Sequence, residues 1–316
     1  GRVIEHVNID KEKWQRFAVI FTNVQDVELE IAENVWRHAS AFGESVENFR
    51  GVTGWQNKCL EKGSIPVIRG DAISRYTVTP NVFLTPALIA EDSALMQRYQ
   101  IPKIVAQNIV AHVTQPTDHI VIMAGMADDQ AIPLDTVNNL VVCDTHWKSQ
   151  VVLALVNSRF IAWYTYRFIY NGAIRTMHFD SAYTDKLPLP NIAFTTPAEQ
   201  RAALLEQAIA LYETVTDDAS RLTHDDLLAF ITARLDHAPE QADVVHDLLA
   251  YLAEQMMALH QQRQQLEKAR DPFKFLERGA PFVKFTAAFA DALKYGERLA
   301  SPSEALDIDV AHHDID

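Results

Sequence analysis

The stretch PVIRGDAISRY, residues 66–76, carries the clearest strand and turn signals of this chain. Its opening residues are largely apolar and β-branched, which favours a strand over residues 66–69. Gly70 and Asp71 follow, and both residue types are common in tight turns. The stretch therefore predicts a strand that ends in a turn flanked by two arginines, Arg69 and Arg75.

Strand and helix signals alternate over the first 190 residues. β-branched and aromatic runs between Gly and Pro positions predict strands, and apolar residues at helical spacing predict helices. The predicted strands cover residues 3–9, 17–22, 66–69, 103–109, 119–123 and 140–143. The predicted helices cover residues 27–42, 86–99 and 147–170, the last of them long and mostly buried. The run KLPLPN, residues 186–191, interrupts regular structure because each proline fixes φ and lacks a backbone donor.

The remainder of the chain has helical patterns. A helix is predicted to start at Thr196 and Pro197 and to end near residue 216, because Pro is favoured at the first helical position. A second is predicted over residues 223–236, where two aspartates occupy the first turn, and a third over residues 241–268. The third helix has an apolar stripe, predicted to pack against other helices, made of Leu248, Leu249, Leu252, Met256, Leu259 and Leu266.

These patterns predict an α+β chain. A mixed, mostly antiparallel domain is expected over residues 1–192 and an α-helical domain over residues 193–300. Residues 301–316 are acidic and are expected to form a poorly ordered tail.

Composition indicates a folded protein of the cytoplasm. Apolar residues make up 48% of the 316 residues and charged residues 22%, as in ordinary globular proteins. The most apolar runs are far shorter than the roughly 20 residues that span a bilayer, and no secretory signal is visible. The two cysteines, Cys59 and Cys143, have no metal-binding spacing. We therefore expect a cytoplasmic location and no membrane association.

The net charge of −14 is distributed unevenly. Residues 1–190 hold 17 basic and 20 acidic side chains, a net charge of −3, whereas residues 191–316 hold 11 and 22, a net charge of −11. Five basic residues against two aspartates give residues 146–186 a local positive excess. Because phosphate binding relies on Lys and Arg, that region is the expected contribution to any nucleic-acid surface.

Five segments follow one another in a recognisable order. They are GVTGW at 51–55, PVIRGDAISRY at 66–76, PKIVAQ at 102–107, LALVNSR at 153–159 and KLPLP at 186–190. The order resembles the TaqI-like C-terminal specificity domain, which is the target recognition domain of adenine-specific DNA methyltransferases and fused type IIG restriction-modification enzymes. The resemblance covers about residues 50–192.

The resemblance implies sequence-specific recognition of double-stranded DNA by the C-terminal part of a larger enzyme. An N-terminal methyltransferase domain or a partner subunit would supply catalysis, with S-adenosylmethionine as a cofactor of the intact enzyme only. A nuclease on the same polypeptide is a further possibility within this family. This chain itself has neither a glycine-rich loop for S-adenosylmethionine nor an Asn-Pro-Pro-aromatic motif, and its histidines lack metal-site spacing. We expect no catalytic or metal-binding residue in it.

Candidate DNA contacts can be chosen by side-chain chemistry. The residues expected to contact DNA are Arg69, Arg75, Lys103, Gln107, Lys148, Arg159, Arg167, Arg175 and Lys186. Arg69 and Arg75 could reach a phosphate or a guanine edge, and the alternative is an ion pair with Asp71. Lys103 and Gln107 share one face of a strand, where glutamine suits adenine, and a plain polar outer face is the alternative.

The helix predicted over residues 147–170 allows several roles. Arg159 and Arg167 are eight residues apart, a net rotation of about 80°, so both can face DNA or simply solvent. Asn157 and Ser158 are expected to bond the local backbone rather than bases. The aromatic group is expected to lie in the core rather than stack on a flipped base. It consists of Trp163, Tyr164, Tyr166, Phe168 and Tyr170.

Two other functions stay open. A stand-alone specificity subunit of a multisubunit restriction system would use the helical domain as a spacer. A helical interaction scaffold without any DNA role is favoured by the acidic net charge.

Overall fold

The computed structural model describes residues 24–90, 97–173, 177–216 and 225–270. The chain divides into two compact units, Gly1–Ala193 and Phe194–Asp316. The described part of the first contains all the strands and that of the second only helices, so the α+β prediction is confirmed. The strands predicted over residues 3–9 and 17–22 and the tail predicted over residues 301–316 lie outside the described residues.

The first unit combines short helices with fourteen described strands. Its helices are α1 (Asp26–Arg37), α2 (Pro86–Ala90), α3 (Ser149–Asn157), α4 (Arg159–Tyr164) and α5 (Ser181–Thr184). Its strands are β1 (Ala39–Ala41), β2 (Val46–Arg50), β3 (Ile65–Ile68), β4 (Ile73–Ser74), β5 (Thr77–Val78), β6 (Val82–Leu84), β7 (Lys103–Gln107), β8 (Ile109–Val113), β9 (His119–Val121), β10 (Ala124–Ala127), β11 (Ile132–Pro133), β12 (Val137–Val142), β13 (Met177–His178) and β14 (Pro188–Pro190).

A four-stranded antiparallel sheet forms the centre of this unit, in the order β10-β7-β12-β2. Ile104, Val105 and Ala106 on β7 are all fully buried, which requires cover on both faces because successive side chains alternate. Helix α3 contacts β7, β10 and β12. One apolar cluster contains Ile68 at the end of β3, Ile73 on β4 and Val105, so β3 and β4 contribute to the cover.

A smaller sheet joins β11, β3 and β6. The β11–β3 pairing is parallel and the β3–β6 pairing antiparallel, so the expectation of a mixed, mostly antiparallel arrangement is confirmed. Its core contains Val67, Leu84 and Ile132. Gly51 passes so close to this layer that a Cβ would lie 2.2 Å from the carbonyl oxygen of Leu134. A larger residue at position 51 would therefore force the backbone apart.

The long helix predicted over residues 147–170 is wrong in one respect, because it is interrupted. Helix α3 ends at Asn157, and Ser158 has an extended backbone with ψ of 150°. The Ser158 hydroxyl accepts a hydrogen bond from the N–H of Ile161 and so caps α4. A π-helical turn then covers Thr165–Ile169. The local backbone bonding expected of Asn157 and Ser158 is confirmed and is the physical cause of the interruption.

Other predicted bounds also change. Helix α1 ends at Arg37, and Ala39–Ala41 instead pairs with Pro188–Pro190, which was expected to lack regular structure. A two-stranded pairing at an edge tolerates prolines because their missing donors are not needed there. The strand predicted over residues 103–109 divides at Asn108 into β7 and β8. Of the helix predicted over residues 86–99, residues 91–96 lie outside the described residues.

The second unit contains the three predicted helices, α6 (Ala198–Thr216), α7 (Asp225–Leu235) and α8 (Ala242–Arg270). Their core cluster consists of Ala208, Tyr212, Leu227, Phe230, Val244 and Leu248, with Leu252 packed against it. The predicted stripe does not pack along its whole length, because Leu259 and Leu266 are 37% and 46% exposed. With 29 residues, α8 is about 43 Å long, and both exposed leucines lie in its C-terminal half.

The start of this helical unit is fixed by charged groups. Asp243 accepts hydrogen bonds from the backbone N–H and the hydroxyl of Thr196, at 2.8 and 2.7 Å. Asp247 binds the guanidinium of Arg201 through both oxygens. These contacts join the N-terminal ends of α6 and α8.

A substitution at Leu252 tests the packing of α8. Leu252→Asp is expected to lower the free energy of unfolding of the second unit by at least about 2 kcal/mol, because a carboxylate would replace an apolar contact with the core. Urea denaturation followed by circular dichroism measures the change. The matched control is Leu266→Asp, on the exposed part of the same helix, which should stay within about 0.5 kcal/mol of wild type. Equal losses in both variants would contradict this packing.

Candidate nucleic-acid interface

The turn that follows β3 is held from inside the domain by Gln107. The Gln107 side-chain N–H donates to the carbonyl oxygens of Gly70 and Ile73, at 2.7 and 3.1 Å. The Gly70 N–H donates to the Thr136 hydroxyl at 3.0 Å. Because its amide is used in this way, Gln107 positions the turn and does not itself present an edge for adenine, which corrects that expectation.

Arg69 lies on this turn and pairs with Asp71. Its guanidinium is 2.8 Å from the Asp71 carboxylate, and both side chains are partly exposed, at 38% and 59%. The ion pair that the sequence left as an alternative is therefore present. An exposed pair of this kind is worth little to stability, so the arginine can exchange its partner for a ligand at low cost.

Arg75 and Asn157 join two of the five quoted segments. Arg75 stands in the two-residue turn between β4 and β5, and its guanidinium donates to the carbonyl oxygen of Asn157 at 2.9 Å. The Asn157 amide bonds both the N–H and the carbonyl oxygen of Ala124, at 3.2 and 3.0 Å. Tyr76, with a left-handed φ of 62°, donates its N–H to the same carbonyl oxygen. The β4–β5 turn, β10 and the end of α3 thus form one hydrogen-bonded unit.

Lys103 is buried and not at a surface. It is 1% exposed, and its amino group donates to the carbonyl oxygens of Tyr99, Ile101 and Asp128. Burial lowers the pKa of Lys103 to about 8, although the carboxylates of Asp128 and Asp129 act in the opposite direction. The expectation that Lys103 contacts DNA is wrong. Buried carbonyl groups need donors, and the sequence does not show that the lysine provides them.

Arg167 also has an internal partner. Its guanidinium binds the Glu28 carboxylate on α1 through two nitrogens, at 2.8 and 2.6 Å, and both side chains are mostly buried. Hydrogen bonding from Arg167 lowers the pKa of Glu28 below its usual value. The π-helical turn at Thr165–Ile169 changes the 80° rotation that was calculated from Arg159 to Arg167 for a regular α-helix. Arg167 therefore faces α1, which corrects its place among the DNA contacts.

The remaining basic candidates are exposed at the surface, except one that lies outside the described residues. Lys148 is exposed immediately before α3, and Arg159 is exposed as the first residue of α4. Lys186 is exposed between α5 and β14, and Arg175 lies outside the described residues. The expectation for the aromatic group is confirmed, because Tyr164, Tyr166, Phe168 and Tyr170 are buried, with Trp163 packed edge-on against Phe168.

Sequence reasoning missed a row of hydrogen-bonded, buried asparagine side chains, here called the amide relay. Its members lie on β2, on β12 and at the junction of β7 and β8. Asn48, Asn108 and Asn138 are at most 8% exposed. The Asn138 amide donates to Asn48 and to the carbonyl oxygen of Phe179, and the Asn108 amide donates to Asn138 at 2.6 Å and to Asp180 at 2.7 Å. An isolated asparagine in a strand sequence carries no sign of such a partner. Only the strand register, with Asn138 opposite Arg50, brings these residues together.

The relay has only one consistent orientation. The Phe179 carbonyl oxygen can only accept, so the amides of Asn48 and Asn138 must direct their NH₂ groups towards it. The Asn108 oxygen then faces the Arg50 guanidinium and His178 Nδ1, each at 2.7 Å. Arg50 can only donate, which agrees with this assignment. Nδ1 of His178 consequently carries a proton.

Comparison with protein families identifies the segment that contains most of these contacts. Residues 65–189 match the TaqI-like C-terminal specificity domain. Over these residues the chain is similar to that domain family. The resemblance found in the sequence is thereby confirmed from β3 to β14, and the segment GVTGW, Arg50 and the helical unit lie outside the match. A search of curated proteins gave no match.

Two kinds of site are not found in the described part of the chain. No group of histidine, cysteine or carboxylate side chains there is arranged to hold a metal ion. Among the described helices, none has both the length and the apolarity needed to cross a bilayer.

The burial of the Lys103 amino group predicts that the free energy of unfolding depends on pH. Below pH 8 both the folded and unfolded states hold the proton. Between pH 8 and 10.5 the folded state has lost it and the unfolded state has not, so stability rises with pH. The free energy of unfolding of wild type minus that of Lys103→Met should therefore increase over this range, on the order of 1.4 kcal/mol per unit of pKa shift.

Urea denaturation at pH 7, 8, 9 and 10 measures this difference. Lys62→Met controls for the loss of an exposed lysine side chain. A difference that is constant from pH 7 to 10 would contradict burial of the Lys103 amino group.

Proposed function

We propose that this protein recognises a specific sequence of duplex DNA as the C-terminal part of an adenine-specific DNA methyltransferase or a fused restriction-modification enzyme. The observation that carries the proposal is the specificity domain over residues 65–189, a domain type that serves DNA target recognition in restriction-modification systems. Methylation and S-adenosylmethionine binding belong, in this proposal, to a methyltransferase part joined upstream or supplied as a partner.

The described basic residues suggest two roles on the DNA. Lys148, Arg159 and Lys186 are exposed and suit phosphate contacts, which position a protein without reading sequence. Arg69, on the turn held by Gln107, suits a base contact because the turn has a defined conformation. Arg75 and Gln107 act through the backbone that they hold.

The helical unit suits a protein partner better than DNA. Residues 191–316 have a net charge of −11, which would repel phosphates. The exposed Leu259 and Leu266 on the long α8 offer apolar contact area.

The same helix favours a second candidate, a stand-alone specificity subunit in which α8 is a spacer. An Asn-Pro-Pro-aromatic motif directly upstream in the gene would support the fused enzyme, and a short complete gene would support the subunit.

The phosphate contacts can be counted by salt dependence. Lys148→Ala and Arg159→Ala should each weaken binding on specific and scrambled duplexes alike, and each should reduce the slope of log affinity against log salt by about 0.9. Fluorescence anisotropy at four or more salt concentrations measures the slope. Arg167→Ala should leave it unchanged, because that guanidinium binds Glu28.

The control for charge is Arg263→Ala, on α8 of the acidic unit. An equal loss of slope in Arg263→Ala would show that net charge alone controls the affinity. Wild-type slopes in Lys148→Ala and Arg159→Ala would remove both residues from the interface and favour the scaffold without a DNA role.

The positioning residues should affect discrimination instead. Gln107→Ala releases the turn that carries Arg69, and Arg75→Ala releases the end of α3, so both should lower the ratio of specific to non-specific affinity with little change in the salt slope. Competition between specific and scrambled duplexes measures this ratio. Gln130→Ala, an exposed glutamine, is the control. Unchanged discrimination in Gln107→Ala and Arg75→Ala would exclude these loops from base recognition.

A further inference from the structure

Arg50 and Asp180 stand at the surface end of the amide relay. Their side chains are 50% and 34% exposed, and the Arg50 Nε lies 3.7 Å from the Asp180 carboxylate. Both are hydrogen-bonded to the buried Asn108, whose side-chain oxygen accepts from Arg50 and whose NH₂ group donates to Asp180. The relay gives this exposed pair a defined position before any ligand binds.

The pair offers donors and acceptors side by side. One Arg50 N–H is used by Asn108, and further N–H groups remain on its terminal nitrogens. Asp180 keeps its second carboxylate oxygen, Oδ2, apart from the Oδ1 that Asn108 uses. His178, protonated at Nδ1, adds an acceptor at Nε2 when the ring is neutral.

This combination suits a base pair better than a phosphate. The positive and negative charges of Arg50 and Asp180 cancel, and the carboxylate would repel a phosphate group. In the major groove a guanine presents two acceptors, O6 and N7, and its paired cytosine presents an amino donor. Arginine is the usual partner of the guanine edge, and aspartate accepts from the cytosine amino group.

We propose that Arg50 and Asp180 read one guanine–cytosine pair of the DNA target, with Arg50 on the guanine and Asp180 on the cytosine. Asn108 is the positioning residue for both. The inference rests on the proposed function, since it assigns a base-reading site to a DNA-recognition protein. It adds a site partly outside the matched segment, because Arg50 precedes residue 65.

The test is selection from a duplex pool with about 20 randomised base pairs, using the 316-residue chain. Wild type should enrich a motif that contains at least one guanine–cytosine position. Arg50→Gln and Asp180→Asn should each lose preference at the same single position, by about 5- to 100-fold, and keep the others. Asp180→Asn is nearly isosteric and can still accept from Asn108, so it tests the reading role without removing the relay.

Charge and folding need separate controls. Asp118→Asn makes the same change of charge elsewhere in the domain and should keep the whole motif. Asp180→Asn removes a negative charge, so its affinity for scrambled duplexes should equal or exceed that of wild type, an outcome that misfolding would not produce. Thermal melting of each variant checks the fold.

The failures of the two proposals differ. A wild-type motif that both variants retain, or lose evenly at all positions, overturns the reading pair and leaves the proposed function standing. Uniformly weaker binding by Arg50→Gln with a smaller salt slope assigns Arg50 to a phosphate and also overturns it. A wild-type chain that enriches no motif overturns both proposals.

Discussion

Side-chain amides bonded to backbone groups hold the loops of the segment that matches the specificity domain. Gln107 binds two carbonyl oxygens of the turn after β3, and Asn157 binds both backbone groups of Ala124. Loops without regular pairing otherwise leave polar groups unpaired, at a cost of about 1–3 kcal/mol for each buried group. An amide offers a donor and an acceptor on one short side chain, so it can replace a missing strand neighbour. The exposed arginines depend on the turns fixed in this way.

Internal cations change how the charge of this protein should be interpreted. Lys103 serves three carbonyl oxygens and Arg167 serves Glu28, so neither contributes to an attractive surface for DNA. The exposed cations of the proposed interface are fewer than the composition suggests. Binding should therefore depend less on salt than a count of the basic residues of the domain would indicate, and more on shape and base contacts.

The two units differ in the polar interactions that stabilise them. Both units have apolar core clusters; the first adds buried hydrogen bonds between side chains and backbone that hold its loops, and the second adds the ion pair of Arg201 with Asp247. An acidic helical surface avoids DNA and remains available to a protein. This contrast is consistent with the proposed function, in which the first unit would read DNA and the second would contact a protein partner.

Local sequence patterns determined the class of the fold, the positions of most of the longer helices and of a minority of the described strands, and the resemblance to the specificity domain. Period-two and helical spacings are local properties, and the five segments keep their order along the chain, so no tertiary information was needed. The break at Ser158 was also encoded locally, since Asn and Ser compete with the helix for backbone groups, although it was predicted only as local bonding.

Only the tertiary structure decided which polar residues face inward. The sequence does not distinguish Lys103 from Lys148. Lys103 is buried and donates to three carbonyl oxygens, whereas Lys148 is exposed. Arg50 drew no attention in sequence, because its partners Asn108 and Asp180 are 58 and 130 positions away. The physical reason is that a hydrogen bond depends on the distance in space between two groups. Strand register sets that distance, and a single sequence does not reveal the register.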